Sequence, residues 1–164
     1  MTTHKPTIDR FQPDNADALL GLTLRAWSPV FDKMAQEMPP YIFSAFYPDG
    51  WKKRQYDDVK AMLTDGLTDV FLAWDGQKLC GYVGLRYHPE DNMGEIVIIA
   101  VDPDYQRKGI ADRLMDFSFS WMSEKGASMA MVETGGDAGH APARAAYESV
   151  GFKQLPIARY FREL

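Results

Sequence analysis

The chain has 164 residues, 46% hydrophobic and 25% charged, with a formal net charge of −5. That length suits one domain, 1–164, with a sizeable core, and the scattered Lys and Arg argue against a nucleic-acid surface, whose affinity comes from clustered cations. No run approaches the roughly 18 apolar residues of a membrane span, and the single cysteine cannot form an internal disulfide.

The N-terminus, from Met1 through His4 to Pro6, lacks the apolar core of a signal peptide, so a cytoplasmic location is expected. Thr7 to Phe11 has strand-like spacing and stops before Pro13-Asp14. A helix follows with Ala16, Leu19, Leu20, Leu22, Thr23 and Ala26 near the helical period, capped by Asp14 or Asn15 and ended or bent at Ser28-Pro29. Trp27 to Tyr56 is the most aromatic and least regular part, and most of its rings read as core packing, with a further helix from Lys52 to Leu63.

Val70 to Trp74 is a β-rich run, and Asp75-Gly76 is a hairpin signal before Leu79 to Leu85. Cys80, in that second run, reads as a buried thiol in a reducing compartment. His88-Pro-Glu-Asp-Asn92 supplies the next turn, and Glu95 to Val101 continues the meander. His4, His88 and His140 match no ligand spacing, so no metal is expected. Ile110, Leu114, Phe117 and Trp121 form the stripe of a helix ending at Gly126, and Met129 to Val132 reads as a short buried strand, completing a β-α-β unit. After the loop Gly135 to Gly139, Pro142 opens a helix that Gly151 ends. Phe152 to Leu155 and Ile157 to Phe161, divided by Pro156, look like two closing strands.

The passage from strand to helix at Gln106-Arg107-Lys108-Gly109-Ile110-Ala111 is the chemically informative stretch. A tight turn there aims unpaired backbone N–H groups and the positive end of a helix dipole at one spot, where an anion binds. Neither a G-x-x-x-x-G-K-[ST] nor a G-x-G-x-x-G loop is present. The pattern Gln-x-x-Gly-x-Ala in this context resembles the acyl-CoA signature of the GNAT superfamily of N-acetyltransferases. The run from His140 to Phe152 resembles that family's second signature, N-x-x-A-x-x-x-Y-E-x-x-G-F, through Ala143, Tyr147, Glu148, Gly151 and Phe152. It departs from it at His140, which stands where asparagine is usual.

The resemblance implies an α/β fold: a single GNAT-like domain with a mixed, mostly antiparallel sheet of about six or seven strands flanked by helices, and a central β-α-β acyl-CoA-binding unit. It implies acetyl transfer from acetyl-CoA to a primary amine of a small molecule or protein, by direct attack of the neutral amine on the thioester. A non-catalytic acyl-CoA sensor of the same fold is the alternative, and an aromatic protein-binding module is a second. Gln106, Arg107, Lys108, Gly109, Ile110, Ala111 and His140 are the implied cofactor contacts. Ile99, Ala100 and Val101 supply a backbone donor to the thioester oxygen. The resemblance assigns Tyr147 as general acid, with an ordinary pKa of about 10 that keeps it protonated. Glu95 occupies the base position of one branch of the family. A glutamate of ordinary pKa, ~4.3, accepts poorly from an ammonium, so that role requires burial or a water relay. Glu133, Trp27 and Phe31 are candidate substrate contacts, and a cationic acceptor suits the acidic chain. The sequence is compatible with a homodimer, although no stripe in it identifies an interface.

Overall fold

In the computed structural model, which describes residues 5–164, five strands make one sheet in the order β1-β2-β3-β4-β5. They are β1 (Thr7–Arg10), β2 (Asp69–Asp75), β3 (Lys78–His88), β4 (Met93–Val101) and β5 (Met129–Val132). The leader reading of Met1 to His4, and His4 itself, lie outside the described residues. The first four strands are antiparallel neighbours and β5 runs parallel to β4. The helices are α1 (Ala16–Glu37), α2 (Pro40–Phe46), α3 (Trp51–Met62), α4 (Ile110–Glu124) and α5 (Ala141–Ser149). Among the described residues no helix is long and apolar enough to cross a membrane.

Alternation along the strands gives the sheet two apolar faces. On one, Leu19, Leu20 and Leu22 of α1 and Val59 and Met62 of α3 pack on Val70, Leu72, Tyr82 and Ala100. On the other, Ile110, Leu114, Met115 and Met122 of α4 pack on Phe71, Val83, Leu85 and Ile96. The Tyr82 hydroxyl, wholly buried, shares a 2.7 Å hydrogen bond with Thr23 Oγ1, which donates to Leu19 O at 2.9 Å. Cys80 is a buried free thiol whose Sγ lies 3.1 Å from Ala73 O, and burial pushes its pKa up.

One irregularity governs the geometry of β4. Gly84 pairs with Ile98 and Leu85 with Ile96, so Val97 has no partner on β3 and forms a bulge. The extra residue reverses which side chains face which layer. Gly94 and Ile96 face α4 before it, whereas Ile98 and Ala100 face α1 and α3 after it. Glu95, between Gly94 and Ile96, therefore projects on the α1 and α3 side. Pairing with β5 covers only Met93↔Met129 to Ile96↔Val132. Beyond Ile96, the two strands part.

Four sequence expectations need correction. Residues 152–164 contain no strand, so the sheet has five strands rather than six or seven. Pro156 interrupts that segment, and β5 offers a four-residue edge whose few ladder bonds do not offset ordering at about 1–2 kcal/mol per residue. With that edge uncovered, Met129 is 51% exposed and β5 is a half-buried edge strand, not a buried one. Of the two readings of Ser28-Pro29, an end or a bend, the end is excluded, since α1 runs on to Glu37. Arg25, Val30 and Phe31 are each docked on another element around the proline, and these contacts offset its missing N–H. On α4, Met115, Ser118 and Met122 are buried more fully than the expected Phe117 and Trp121, which pack at the margin.

A Cβ on Gly94 would collide with Met122 Cγ and Sδ and lie 2.9 Å from its Cβ. The variant Gly94→Ala is expected to lose about 1–3 kcal/mol in urea unfolding, and Gly94→Ala with Met122→Ala is expected to be non-additive, because the second change removes the collision.

Candidate active site

The cradle begins where β4 ends. Asp102 is 3% exposed, and its Oδ2 accepts from Arg25 Nη2 at 2.6 Å and Nε at 3.2 Å, while its Oδ1 accepts from the Asp104 N–H at 3.0 Å. Burial acts to raise the Asp102 pKa, but the Arg25 and Asp104 hydrogen bonds and the Arg25 charge outweigh it and hold the carboxyl below its ordinary value. A helix on one layer thus fixes the end of the strand that feeds the turn.

Arg107 and Gly109 both have left-handed backbones, at φ 59° and 77°. This winding leaves the N–H groups of Arg107 through Asp112 without a backbone acceptor among the described residues; Arg113 is the first to donate, to Gly109 O at 3.1 Å. A depression of about 150 Å³ lies over them, lined by Val101, Gln106, Arg107, Gly109, Ile110 and Ala111 together with Tyr105 and Asp112. Lys108 does not line this depression but neighbours it: its Nζ is 5.0 Å from the centre of the Tyr105 ring, and that of Lys78 is 4.9 Å from it. A larger depression of about 220 Å³ on α2 and α3 is lined by Phe46, Lys53, Arg54 and Asp57 and shares no residue with the cradle. Its cations are already engaged: Lys53 pairs with Asp57, and Arg54 reaches Asp58 and donates to Phe46 O.

From the cradle, β4 runs back along Val101, Ala100 and Ile99 with no strand on its β5 side among the described residues. The open edge from Val97 to Val101 spans on the order of 17 Å at ~3.3 Å per residue. It is a fork between strands, lined with backbone donors and acceptors and leading away from the anion cradle. Its apex is the pair Ile96↔Val132, and Glu95 stands one residue behind it.

The loop after β5 forms the fork's other rim. Arg144 Nη1 donates to Gly135 O and Asp137 O, both at 2.7 Å, the Ala138 N–H donates to Glu37 Oε2 at 3.1 Å, and Gly139 lies so close to Val30 that a Cβ would sit 2.8 Å from its carbonyl oxygen. His140 Nδ1 is 2.6 Å from Asp137 Oδ1. Burial acts to raise the Asp137 pKa, yet the His140 contact keeps it below the ordinary carboxylate value. One imidazole nitrogen is therefore committed to the loop. Tyr147, on α5, is packed against Phe152 with ring centres 5.9 Å apart, and burial alone pushes its pKa up to about 12. Glu133 is exposed just past β5.

Trp27 packs against the α1 and α3 core. Phe31 is buried, stacked on Trp51 at 4.4 Å and edge-on to Tyr47 at 5.2 Å, so it ties α1 to α2 and α3. Arg25, Asp102, Glu37, Asp137 and Arg144 were not singled out from the sequence. In the sequence Asp102 is only the residue between the Glu95 to Val101 run and Pro103, and Arg144 only an unspecified position of the second signature.

A model described as the acetyltransferase (GNAT) family matches residues 37–152. A mycothiol acetyltransferase of Streptomyces scabiei is 28% identical over 85% of this chain and 46% of its own length. This chain spans less than half the length of the mycothiol acetyltransferases that head the curated relatives. In fold it is similar to the ribosomal-protein-S18-alanine N-acetyltransferase of Escherichia coli, at TM-score 0.66 and 21% identity over 92% of this chain and 79% of that one. It is similar also to the paia N-acetyltransferase of Thermoplasma acidophilum, solved with coenzyme A, at TM-score 0.65 and 17% identity over 90% and 89%.

Replacing Arg25 by Met leaves the Asp102 carboxylate buried without its cation and is expected to cost about 1–3 kcal/mol, discounted for the exposed guanidinium. A depressed carboxyl contributes stability above its unfolded pKa, about 3.8–3.9, and loses it as pH falls through the folded value. The difference between parent and Arg25→Met in urea unfolding should be full at neutral pH and should close only below about pH 4.

Proposed function

Since the chain belongs to the acetyltransferase (GNAT) family, we propose that it moves the acetyl group of acetyl-CoA to a primary amine of a small molecule or protein, by direct attack of the neutral amine on the thioester. The observation that carries this reading is the continuity of two unsatisfied backbone surfaces: the free N–H groups of Arg107 to Asp112, and the open β4 edge that leads from them to Glu95.

Each surface suits one part of the donor. The amides of the turn, at the N-terminus of α4, hold the pyrophosphate, with Gln106, Gly109, Ile110 and Ala111 shaping the wall and Arg107 and Lys108 supplying charge. The arm lies in the fork and pairs with the backbone of β4, where an N–H between Ile99 and Val101 polarises the thioester oxygen. His140 keeps its Nε2 for the donor while its Nδ1 is fixed by Asp137.

The chemistry then has to take two protons from the nitrogen and deliver one to the sulfur. Glu95, directly or through one water, takes the first from the ammonium, leaving the neutral amine. The amine forms the carbon–nitrogen bond as the carbon–sulfur bond breaks. The departing thiolate takes the Tyr147 hydroxyl proton, and the tyrosine is restored by the proton that the new amide nitrogen sheds. At a pKa of about 12, Tyr147 remains protonated across the physiological range. Against a thiol near ~8.5, full transfer before bond breaking is uphill by roughly 5 kcal/mol, so proton and sulfur depart together. The acceptor stays at the level of an amine. Similar proteins carry names that refer to mycothiol and to an alanine of ribosomal protein S18, a small molecule and a protein. Glu95 and the exposed Glu133 favour a cationic one.

A thiol-release screen of amines with acetyl-CoA tests the reading. Turnover with at least one amine is expected, and stoichiometric acetyl-CoA binding without release over a broad panel would instead favour the sensor alternative. Tyr147→Phe is expected to lower kcat by about 10²–10⁴-fold while acetyl-CoA affinity in calorimetry changes by less than about threefold. Equal turnover by the variant would remove Tyr147 from the mechanism.

A further inference from the structure

His88 is the last residue of β3 and pairs in register with Met93, which makes Glu95 its diagonal neighbour on the same face of the sheet. Its Nε2 lies 2.6 Å from Glu95 Oε2, with side-chain exposures of 30% and 21%. The residue directly opposite Glu95 is Arg86, a permanent cation, but its guanidinium is taken: Nη2 donates to Asp65 Oδ2 at 2.6 Å and Nε to Thr68 Oγ1 at 2.8 Å. On the other side β5 offers Met131. The remaining carboxylate facing the imidazole is Glu90, 3.6 Å from Nδ1. With the fixed cation engaged elsewhere, the carboxylate beside the apex of the fork has a titratable partner.

Resting on the reading of Glu95 as the acceptor base, we propose that His88 is its positioning residue: it holds Oε2 and leaves Oε1 to receive the amine's proton. The proton moves from the ammonium nitrogen to Oε1, directly or through one water, giving a neutral amine and a carboxylic acid. A neutral imidazole, protonated at Nε2, keeps its hydrogen bond to Oε2 before and after that transfer. A protonated imidazole instead locks the carboxylate in an ion pair. The hydrogen bond to Glu95 raises the His88 pKa, so the ion pair persists below that raised value and turnover increases as pH rises through it.

Two measurements test this on the intact protein. In NMR titrations of the His88 imidazole, Glu95→Gln is expected to weaken proton binding about tenfold relative to the parent. In thiol-release assays with acetyl-CoA and spermidine, His88→Gln retains a donor without a titratable charge. It is expected to lose the rising limb of the pH–rate profile while coenzyme A affinity stays within about threefold. An imidazole midpoint unmoved by Glu95→Gln, or a His88→Gln profile superimposable on the parent, would overturn the proposal. Absence of turnover by the parent with spermidine and the rest of an amine panel counts against acetyl transfer, and the NMR comparison then decides alone whether His88 holds Glu95.

Discussion

The site depends on the separation of β4 from β5 after Ile96 and Val132. A parallel pair that continued would satisfy the backbone of β4 along its length and leave no slot. The bulge at Val97 sits immediately beyond the last paired residue, and bulges increase twist and bend the strand that carries them. The same extra residue sends Glu95 and Val97 to the α1 and α3 layer while Ile99 and Val101 turn to the α4 layer. One inserted residue thus opens the fork and sets which side chain stands at its apex.

An open fork needs rims that do not collapse, and α1 supplies both. Arg25 clamps Asp102 at the mouth of the cradle, and Val30 and Glu37, further along the same helix, hold the Ala138 to His140 turn on the far rim. Pro29 lies between these anchors. Carrying a helix through a proline costs about 3 kcal/mol, so the length of α1 reflects contacts made on either side of it rather than local propensity. The stack of the buried Phe31 on Trp51 secures the next element in turn.

What the sequence disclosed follows the range of the interactions involved. The cradle is local: a strand, Gly109 at a left-handed position and a helix start lie within a few residues, and that proximity is itself the mechanism. Tyr147 belongs to a signature of fixed spacing, and its burial follows from the apolar face of α5. The bulge at Val97 left no trace, because Glu95 to Val101 reads as an unbroken β run and register is decided by β3. Arg25 and Asp102 are 77 positions apart, and His88 meets Glu95 only once the hairpin register is fixed. Phe152 to Phe161 has the apolar content of strands but depends on an edge elsewhere, and the short β5 does not provide it.

The central claim is that one ligand occupies cradle and fork together, so hydrogen–deuterium exchange with and without acetyl-CoA tests it most directly. Protection should rise at the amides of Arg107 to Asp112 and also along Val97 to Val101, with little change on α2 and α3. Protection confined to the turn, or appearing around Phe46 and Arg54 instead, would contradict it.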